Sequence, residues 1–246
     1  MDADITYRSG APAQVEATSR SAAQRATWEG VQSGASQGFP GRPGTRSRGA
    51  ELWERLRILL GFVALIWLVE LVDLFLFRGA LDGAGIRPRS ENGLWGVILA
   101  PFLHAGPAHL IANTVPLLVL GWLVIVRGVR DFLGVTLLVT LVAGLGVWIF
   151  GHPRTIHLGA SGLVFGYLGY LLLRGFWERS LLAVGIALVA GFLYGGALLG
   201  VLPGQRGVSW EGHLFGLAGG AGAASVHRRR ESQASGPTLY RSAVPR

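Results

Sequence analysis

The chain has 246 residues, of which half are apolar and only 15% are charged. It contains no cysteine, which excludes disulfide bonds, a cysteine nucleophile and thiolate metal sites. The formal net charge of +8 comes from arginine without any lysine, and the arginines cluster outside the apolar segments. Because this clustering is typical of membrane topology and of contact with anionic lipid headgroups, nucleic acid is not expected as a partner.

The N-terminal part of the chain lacks a hydrophobic period. Residues 1–50 are rich in Gly, Ser, Ala, Gln and Arg, and they contain the turn-prone run 38–44. We predict a disordered tail here. The first apolar run starts only near Ile58, with no charged-then-apolar leader and cleavage site before it, so the first span is expected to remain as an anchor.

Six apolar segments follow, as a multi-pass membrane protein requires. They lie at about 58–77, 95–126, 131–150, 158–174, 181–202 and 210–226. The second is too long for one span and is interrupted by Pro101, Gly106 and Pro107, so we expect a re-entrant or interfacial segment before a helix from about Ala108. The glycine-rich loop 78–94 is apolar enough to lie partly in the membrane.

The predicted fold class is therefore an all-α membrane protein with one six-transmembrane-helix domain over 51–227 and a basic tail over 228–246. Arginine is more frequent before the first span and after the second, fourth and sixth than in the opposite connections. By the positive-inside rule, both termini and both tails are expected to be cytoplasmic.

Five polar residues fall toward the outer ends of three different segments under this topology. They are His104, His109, Asn113, Ser161 and His213. Unrelated polar residues would scatter over both leaflets, and ionisable residues within spans usually serve a function. The convergence therefore indicates a site near the outer surface.

Ser161 and His213 form a candidate pair of nucleophile and base. A serine hydroxyl at its ordinary pKa is a poor nucleophile and needs a base within about 2.6–3.2 Å. On its own, Ser161 in Gly159-Ala160-Ser161-Gly162 is better explained as a small residue that permits close helix packing than as a nucleophile. His213 requires a partner, because it lies on a helix otherwise made of Gly, Ala, Leu and Phe.

The remaining histidines and a nearby amide have several interpretations. His109 and Asn113 share a helix face and could donate hydrogen bonds to an oxyanion, or bind other helices. His104 could hold a water molecule or help to polarise the oxyanion. His152 and His157 are expected to be solvated loop residues, with His157 as the reserve candidate for the base.

Two other classes of intramembrane protease are not supported. Glu70 and Asp73 share a face of the first helix, but no Gly-x-Gly-Asp segment accompanies them, so a structural role is expected. A zinc protease would carry His-Glu-x-x-His, and no histidine here is followed by glutamate. We expect neither a metal nor an organic cofactor.

Three separated motifs together resemble those of the rhomboid family of intramembrane serine proteases, over about residues 58–226. They are His104-x4-His109-x3-Asn113, Gly159-Ala160-Ser161-Gly162 and His213-x2-Gly216-x3-Gly220. Their order and helix placement are also similar to the family's. The resemblance implies a six-transmembrane-helix rhomboid-like bundle with a partly membrane-embedded first outer loop.

The resemblance also implies roles for individual residues. Ser161 would be the nucleophile and His213 the general base of a dyad, while His109, Asn113 and the Ser161 N–H would form the oxyanion hole. The supporting residues that it implies are His104, Phe165, Gly159, Gly162, Gly216 and Gly220. Phe165 stands where family members often carry tyrosine, and either ring can lie against the imidazole.

The first outer loop departs from the family pattern. Some bacterial members carry a Trp-Arg pair there, whereas this chain has Gly85-Ile86-Arg87-Pro88-Arg89. How this loop is anchored is therefore left open by the sequence.

The expected activity is cleavage of transmembrane segments near their outer end through an acyl-enzyme. The expected partners are single-span or multi-span membrane proteins and the lipid bilayer. The arginine-rich, lysine-free composition indicates a GC-rich genome and hence a bacterial inner membrane. Two alternatives are a catalytically silent protein of the same fold that binds helices, and a small-solute transporter, which would require paired internal repeats that the serine and histidine helices do not show.

Overall fold

The computed structural model describes residues 47–178, 181–204 and 207–234, so the predicted N-terminal tail lies almost entirely outside the described residues. Six long helices make up most of the described chain. They are α1 Arg48–Val72, α2 Pro107–Ile125, α3 Val129–Phe150, α4 Ser161–Glu178, α5 Leu181–Tyr194 and α6 Trp210–Ala234. Within the described ranges there is no strand, and an isolated antiparallel bridge pairs Ile86 with His157.

Short helical turns fill the long connections. α1 continues as a π-helix over Asp73–Phe77, and α5 continues as a 3₁₀ helix over Gly195–Val201. Between α1 and α2 lie the turns Ala80–Ala84, Glu91–Gly93, Gly96–Leu99 and Ala100–Phe102. α2 begins at Pro107, which is a favoured residue at the first helical position because it has no N–H to satisfy. The predicted start near Ala108 is therefore confirmed within one residue.

Among the residues that the structure describes, three helices are long and apolar enough to cross a membrane by length and composition. They are α1 with its π-helical extension, α2 and α3. α4 is different, because its residues 163–171 are all buried within the protein. A helix that is buried on every side lies at the centre of a bundle. It packs against α6, α5, α3 and α2.

α4 and α6 approach each other so closely that side chains are excluded between them. A Cβ placed on Gly216 would overlap the carbonyl oxygen of Gly162, and one placed on Gly220 would overlap the carbonyl oxygen of Gly166. Gly216 and Gly220 therefore lie at the closest approach of the two helices, on the face where their spacing places them. This contact brings the first turn of α4 beside the first turn of α6.

Two helices extend past the apolar spans from which they were predicted. α1 begins ten residues before the apolar run that starts near Ile58, and in this extension Arg55 pairs with Glu51 at 3.7 Å and donates a 2.7 Å hydrogen bond to the Val126 carbonyl. α6 continues to Ala234, so the first residues of the predicted basic tail, 228–234, are helical. There the Arg228 guanidinium lies 5.2 Å from the Trp177 ring centroid, within the range of a cation–π contact.

Candidate active site

Ser161 is the first residue of α4 and follows a tightly constrained loop. Gly159 has a φ of +114°, a conformation that residues with a Cβ rarely adopt, and a Cβ there would lie 2.6 Å from the Cε1 atom of His109. The Gly159 N–H donates a 2.8 Å hydrogen bond to the Ala100 carbonyl. Glycine is therefore required at position 159, two residues before Ser161, both by the backbone conformation and by the space available.

The structure brings His213 to Ser161. His213 lies in the first turn of α6 with 8% of its surface exposed, and its Nε2 atom is 2.9 Å from the Ser161 Oγ. On the other side of the ring, Nδ1 lies 3.0 Å from the Gly200 carbonyl oxygen. Because a carbonyl can only accept, this contact assigns the proton to Nδ1 and leaves Nε2 as the acceptor for the serine hydroxyl.

The ring of Phe165 lies flat against the imidazole. The centroids of Phe165 and His213 are 4.0 Å apart and the planes differ by 9°. Phe165 is one turn after Ser161 on α4, so the same helix carries the serine and fixes the plane of the histidine ring. The predicted contact between this ring and the imidazole is present.

His109 and Asn113 lie on one face of α2, as their spacing predicts. The His109 ring occupies the space beside Gly159, and the Ala105 N–H faces its Nδ1 atom at 3.4 Å. Asn113 is buried and donates a 3.0 Å hydrogen bond to the His109 carbonyl, which uses one of its two amide protons. Both side chains retain a donor, so a role in an oxyanion hole stays a prediction.

His104 contacts the loop that precedes Ser161. It is 1% exposed, and its Nε2 accepts a 3.2 Å hydrogen bond from the Ala160 N–H. Because Nε2 accepts this bond, a neutral His104 carries its proton on Nδ1, and a role in holding water or polarising the oxyanion stays a prediction. His104 supports the backbone immediately before Ser161.

Gly162 has a different role from the other motif glycines. A Cβ added there would meet its nearest atoms at 3.4 Å and 3.5 Å, which is ordinary contact distance. Gly162 contributes the backbone carbonyl against which Gly216 packs. The position at which a side chain is excluded is therefore Gly216.

His157 is not a solvated loop residue, and this expectation is wrong. It is half-buried, its Nδ1 lies 2.7 Å from the Ser209 Oγ, and its Nε2 lies 2.7 Å from the Thr155 hydroxyl. Burial lowers the pKa of His157, while the nearby Glu211 carboxylate acts in the opposite direction. His152, by contrast, is exposed as expected.

The loop that departs from the family pattern is anchored to the C-terminal end of α3. Arg89 donates to the carbonyl oxygens of Ile149 at 2.8 Å and Gly151 at 3.0 Å. The Trp148 indole donates back to the Ser90 carbonyl at 2.9 Å. Sequence reasoning did not identify these contacts, because their acceptors are backbone carbonyls, which leave no residue signature.

A small cavity lies beside Ser161. Its wall is mainly apolar, with Thr140, His157 and Ser209 as polar members. Within the described ranges no group of three or more His, Asp or Glu side chains is placed to hold a metal ion. Glu70 and Asp73 are buried at the end of α1, and Asp73 accepts a 2.9 Å hydrogen bond from the Leu81 N–H, which fits the expected structural role.

Comparison with known proteins agrees with these motifs. A family model described as the rhomboid domain matches residues 91–230. The protein Rv1337 of Mycobacterium tuberculosis, named as uncharacterized, is 48% identical over 184 residues, which cover 72% of this chain and 76% of Rv1337. YdcA of Bacillus subtilis, whose name contains the words "rhomboid protease", is 25% identical over 175 residues, or 69% of this chain and 86% of YdcA.

A plant protein extends the similarity. RHOMBOID-like protein 4 of Arabidopsis thaliana is 33% identical over 152 residues, which cover 58% of this chain and 36% of that protein. The chain thus belongs to the rhomboid family. It is an integral membrane protein and a rhomboid-type serine endopeptidase, an intramembrane protease acting on membrane protein substrates within the bilayer.

Proposed function

We propose that Ser161 and His213 are the catalytic dyad of this protease and that it works through an acyl-enzyme. The observation that carries the proposal is the line of contacts from the Gly200 carbonyl through the imidazole to the Ser161 hydroxyl, at 3.0 Å and 2.9 Å. A base within hydrogen-bond reach and a group that orients the base are what an activated serine requires. Here the orienting group is a backbone carbonyl instead of a carboxylate.

The first half of the reaction forms an ester with the enzyme. Ser161 Oγ attacks the scissile carbonyl carbon while Nε2 of His213 takes the hydroxyl proton. The negative charge on the former carbonyl oxygen is met by donors from His109, Asn113 and the Ser161 N–H. The C–N bond then breaks, Nε2 returns the proton to the leaving amine, and the acyl group remains on Ser161.

The second half hydrolyses that ester. Nε2 of His213 takes a proton from water as the resulting hydroxide attacks the acyl carbonyl. The C–O bond to Ser161 then breaks, Nε2 returns the proton to Oγ, and the carboxylic product leaves. Water must therefore reach the first turns of α4 and α6. This requirement favours a site near a membrane surface over one at the bilayer centre.

We further propose that all six long helices cross the membrane, with both termini cytoplasmic, in a bacterial inner membrane. Central burial of α4 supports a crossing helix that is less apolar than α1, because α4 contacts protein instead of lipid. The arginine distribution supports the orientation. The site would then face the outer side, and a substrate helix would have to unwind near its outer end to expose a peptide bond.

Cleavage of a reconstituted single-span reporter, with a small residue and a helix breaker near its outer end, tests the dyad. Ser161→Ala and His213→Ala should each lower the cleavage rate by at least about a thousandfold. Ser225→Ala and His152→Ala are matched controls, because the Ser225 hydroxyl donates to the Ala221 carbonyl in its own helix and His152 is exposed. Wild-type rates in the Ser161 and His213 variants would refute the dyad.

A second readout separates the silent helix-binding alternative from an unsuitable reporter. A fluorophosphonate probe modifies an activated serine without needing a substrate helix. Labelling of wild type that is lost in Ser161→Ala supports the proposal even if the reporter is not cut. No labelling of wild type, together with reporter binding and no cleavage, would favour the helix-binding protein.

A further inference from the structure

The loop before α4 and the segment before α6 are joined by a second serine–histidine contact. His157 lies four residues before Ser161, and Ser209 lies four residues before His213. The His157 Nδ1 and the Ser209 Oγ are 2.7 Å apart although 52 residues separate them in the chain. Each member of this pair is therefore close in the chain to a member of the proposed dyad.

Ser209 is also the N-cap of α6. Its Oγ accepts a 3.3 Å hydrogen bond from the Gly212 N–H, and its carbonyl oxygen accepts the His213 N–H at 3.1 Å. A serine in this position satisfies helix N–H groups that have no partner within the helix. Ser209 thus caps α6 through its hydroxyl and holds the backbone of His213 through its carbonyl oxygen.

The direction of each hydrogen bond follows from the groups present. Thr155 donates its hydroxyl proton to the His152 carbonyl, so it must accept from Nε2–H of His157. A neutral His157 then carries no proton on Nδ1, which accepts from the Ser209 hydroxyl. Burial lowers the pKa of His157 and favours this neutral form.

The backbone of His157 is hydrogen-bonded to the loop between α1 and α2. Its backbone N–H donates to the Ile86 carbonyl at 2.9 Å, and its carbonyl accepts the Ile86 N–H at 2.8 Å. The imidazole is therefore held at both ring nitrogens and at both backbone groups. A residue held in this way can keep the loop before α4 in a fixed position relative to α6.

We propose that His157 and Ser209 are a pair of positioning residues that set the separation of Ser161 and His213 in the catalytic reaction. The proposal rests on the proposed dyad. Neither residue is assigned a proton transfer with the substrate. Their contribution is to hold the nucleophile and the base at the reacting distance, where small displacements have large effects on rate.

A double-variant cycle isolates this role from helix capping. Ser209→Ala removes both the cap and the bridge, whereas His157→Leu removes the bridge and leaves the cap. Each should lower kcat by about fivefold to tenfold with KM unchanged within about twofold. Because both break the same contact, the double variant should be no slower than the slower single variant.

Conservative variants provide the rescue. Ser209→Thr keeps the hydroxyl, and His157→Gln keeps an acceptor and a donor on one side chain, so both should recover most of the wild-type kcat. His152→Ala in the same loop and Ser225→Ala in the same helix should leave kcat unchanged. A purely structural role would instead lower Tm in all bridge variants while kcat per folded enzyme stays at the wild-type value.

The outcomes separate the two proposals. If wild type and Ser161→Ala cleave equally, the dyad itself is refuted. If cleavage depends on Ser161 but Ser209→Ala and His157→Leu match wild type in kcat, or if their effects multiply in the double variant, the positioning pair is refuted. Ser161-dependent cleavage with non-multiplying losses and rescue by Ser209→Thr supports it.

Discussion

The carbonyl oxygen of Gly200 lies 3.0 Å from Nδ1 of His213, on the side of the ring opposite Ser161. Gly200 belongs to the 3₁₀ helix Gly195–Val201 that follows α5. A backbone carbonyl is neutral, so it orients the imidazole and fixes its tautomer with less charge stabilisation than a carboxylate would supply. The position of this 3₁₀ helix therefore matters to the proposed base.

Gly200→Ala should impair cleavage through the imidazole. A Cβ at Gly200 would lie 2.9 Å from Nδ1 of His213, so the ring or the 3₁₀ helix must shift. We expect kcat to fall by at least about tenfold, because the base leaves hydrogen-bond reach of the serine. Gly195→Ala in the same 3₁₀ helix is the control, since no atom lies within 4 Å of its added Cβ. Equal kcat values for the two variants would contradict this account.

Phe165→Leu should lower kcat by about threefold to tenfold, because it removes the flat surface that holds the plane of the His213 ring. The effect should appear equally in the rate of fluorophosphonate labelling, which does not depend on substrate binding. Phe176→Leu on the same helix is the matched control, since that side chain is 67% exposed. Loss of activity in both variants alike would point to general damage to α4.

The sequence predicted those residues whose side-chain type or spacing is itself informative. Ser161 and His213 are recognisable because only particular side chains fit their chemistry, and Gly216 and Gly220 because helical spacing places them on one face. Phe165 was expected only from the resemblance to the rhomboid family. Gly200 and Arg89 were missed. Each lies in a segment without a hydrophobic period and takes part in a contact that uses a backbone carbonyl, and such a contact leaves no side-chain pattern in the sequence. His157 was misjudged because its loop is polar in sequence but is covered by the Ile86 segment in the fold.

Arg89→Lys should loosen the loop between α1 and α2. The guanidinium reaches two carbonyl oxygens at the end of α3, a forked geometry that a lysine ammonium cannot reproduce. The free energy of unfolding should fall by about 1–2 kcal/mol, followed in detergent by tryptophan fluorescence. Arg87→Lys is the control, because Arg87 donates to the Gly83 carbonyl within its own loop. A similar loss of stability in both variants would indicate an effect of charge placement instead of the fork.

Gly220→Ala should be among the most damaging single-methyl changes in the bundle. Its Cβ would overlap the Gly166 carbonyl oxygen, and backbone atoms cannot yield as a flexible side chain can, so α4 and α6 must move apart. Overpacking of this kind costs about 1–3 kcal/mol and sometimes more, and separation of the helices should also lower cleavage. Gly222→Ala on the same helix meets no atom within 4 Å and should be neutral or slightly stabilising, because alanine favours the helix. Thermal unfolding monitored by tryptophan fluorescence, with reporter cleavage measured on the same preparations, compares the two. Equal Tm values would show that α4 and α6 tolerate a wider separation than their glycine contact indicates.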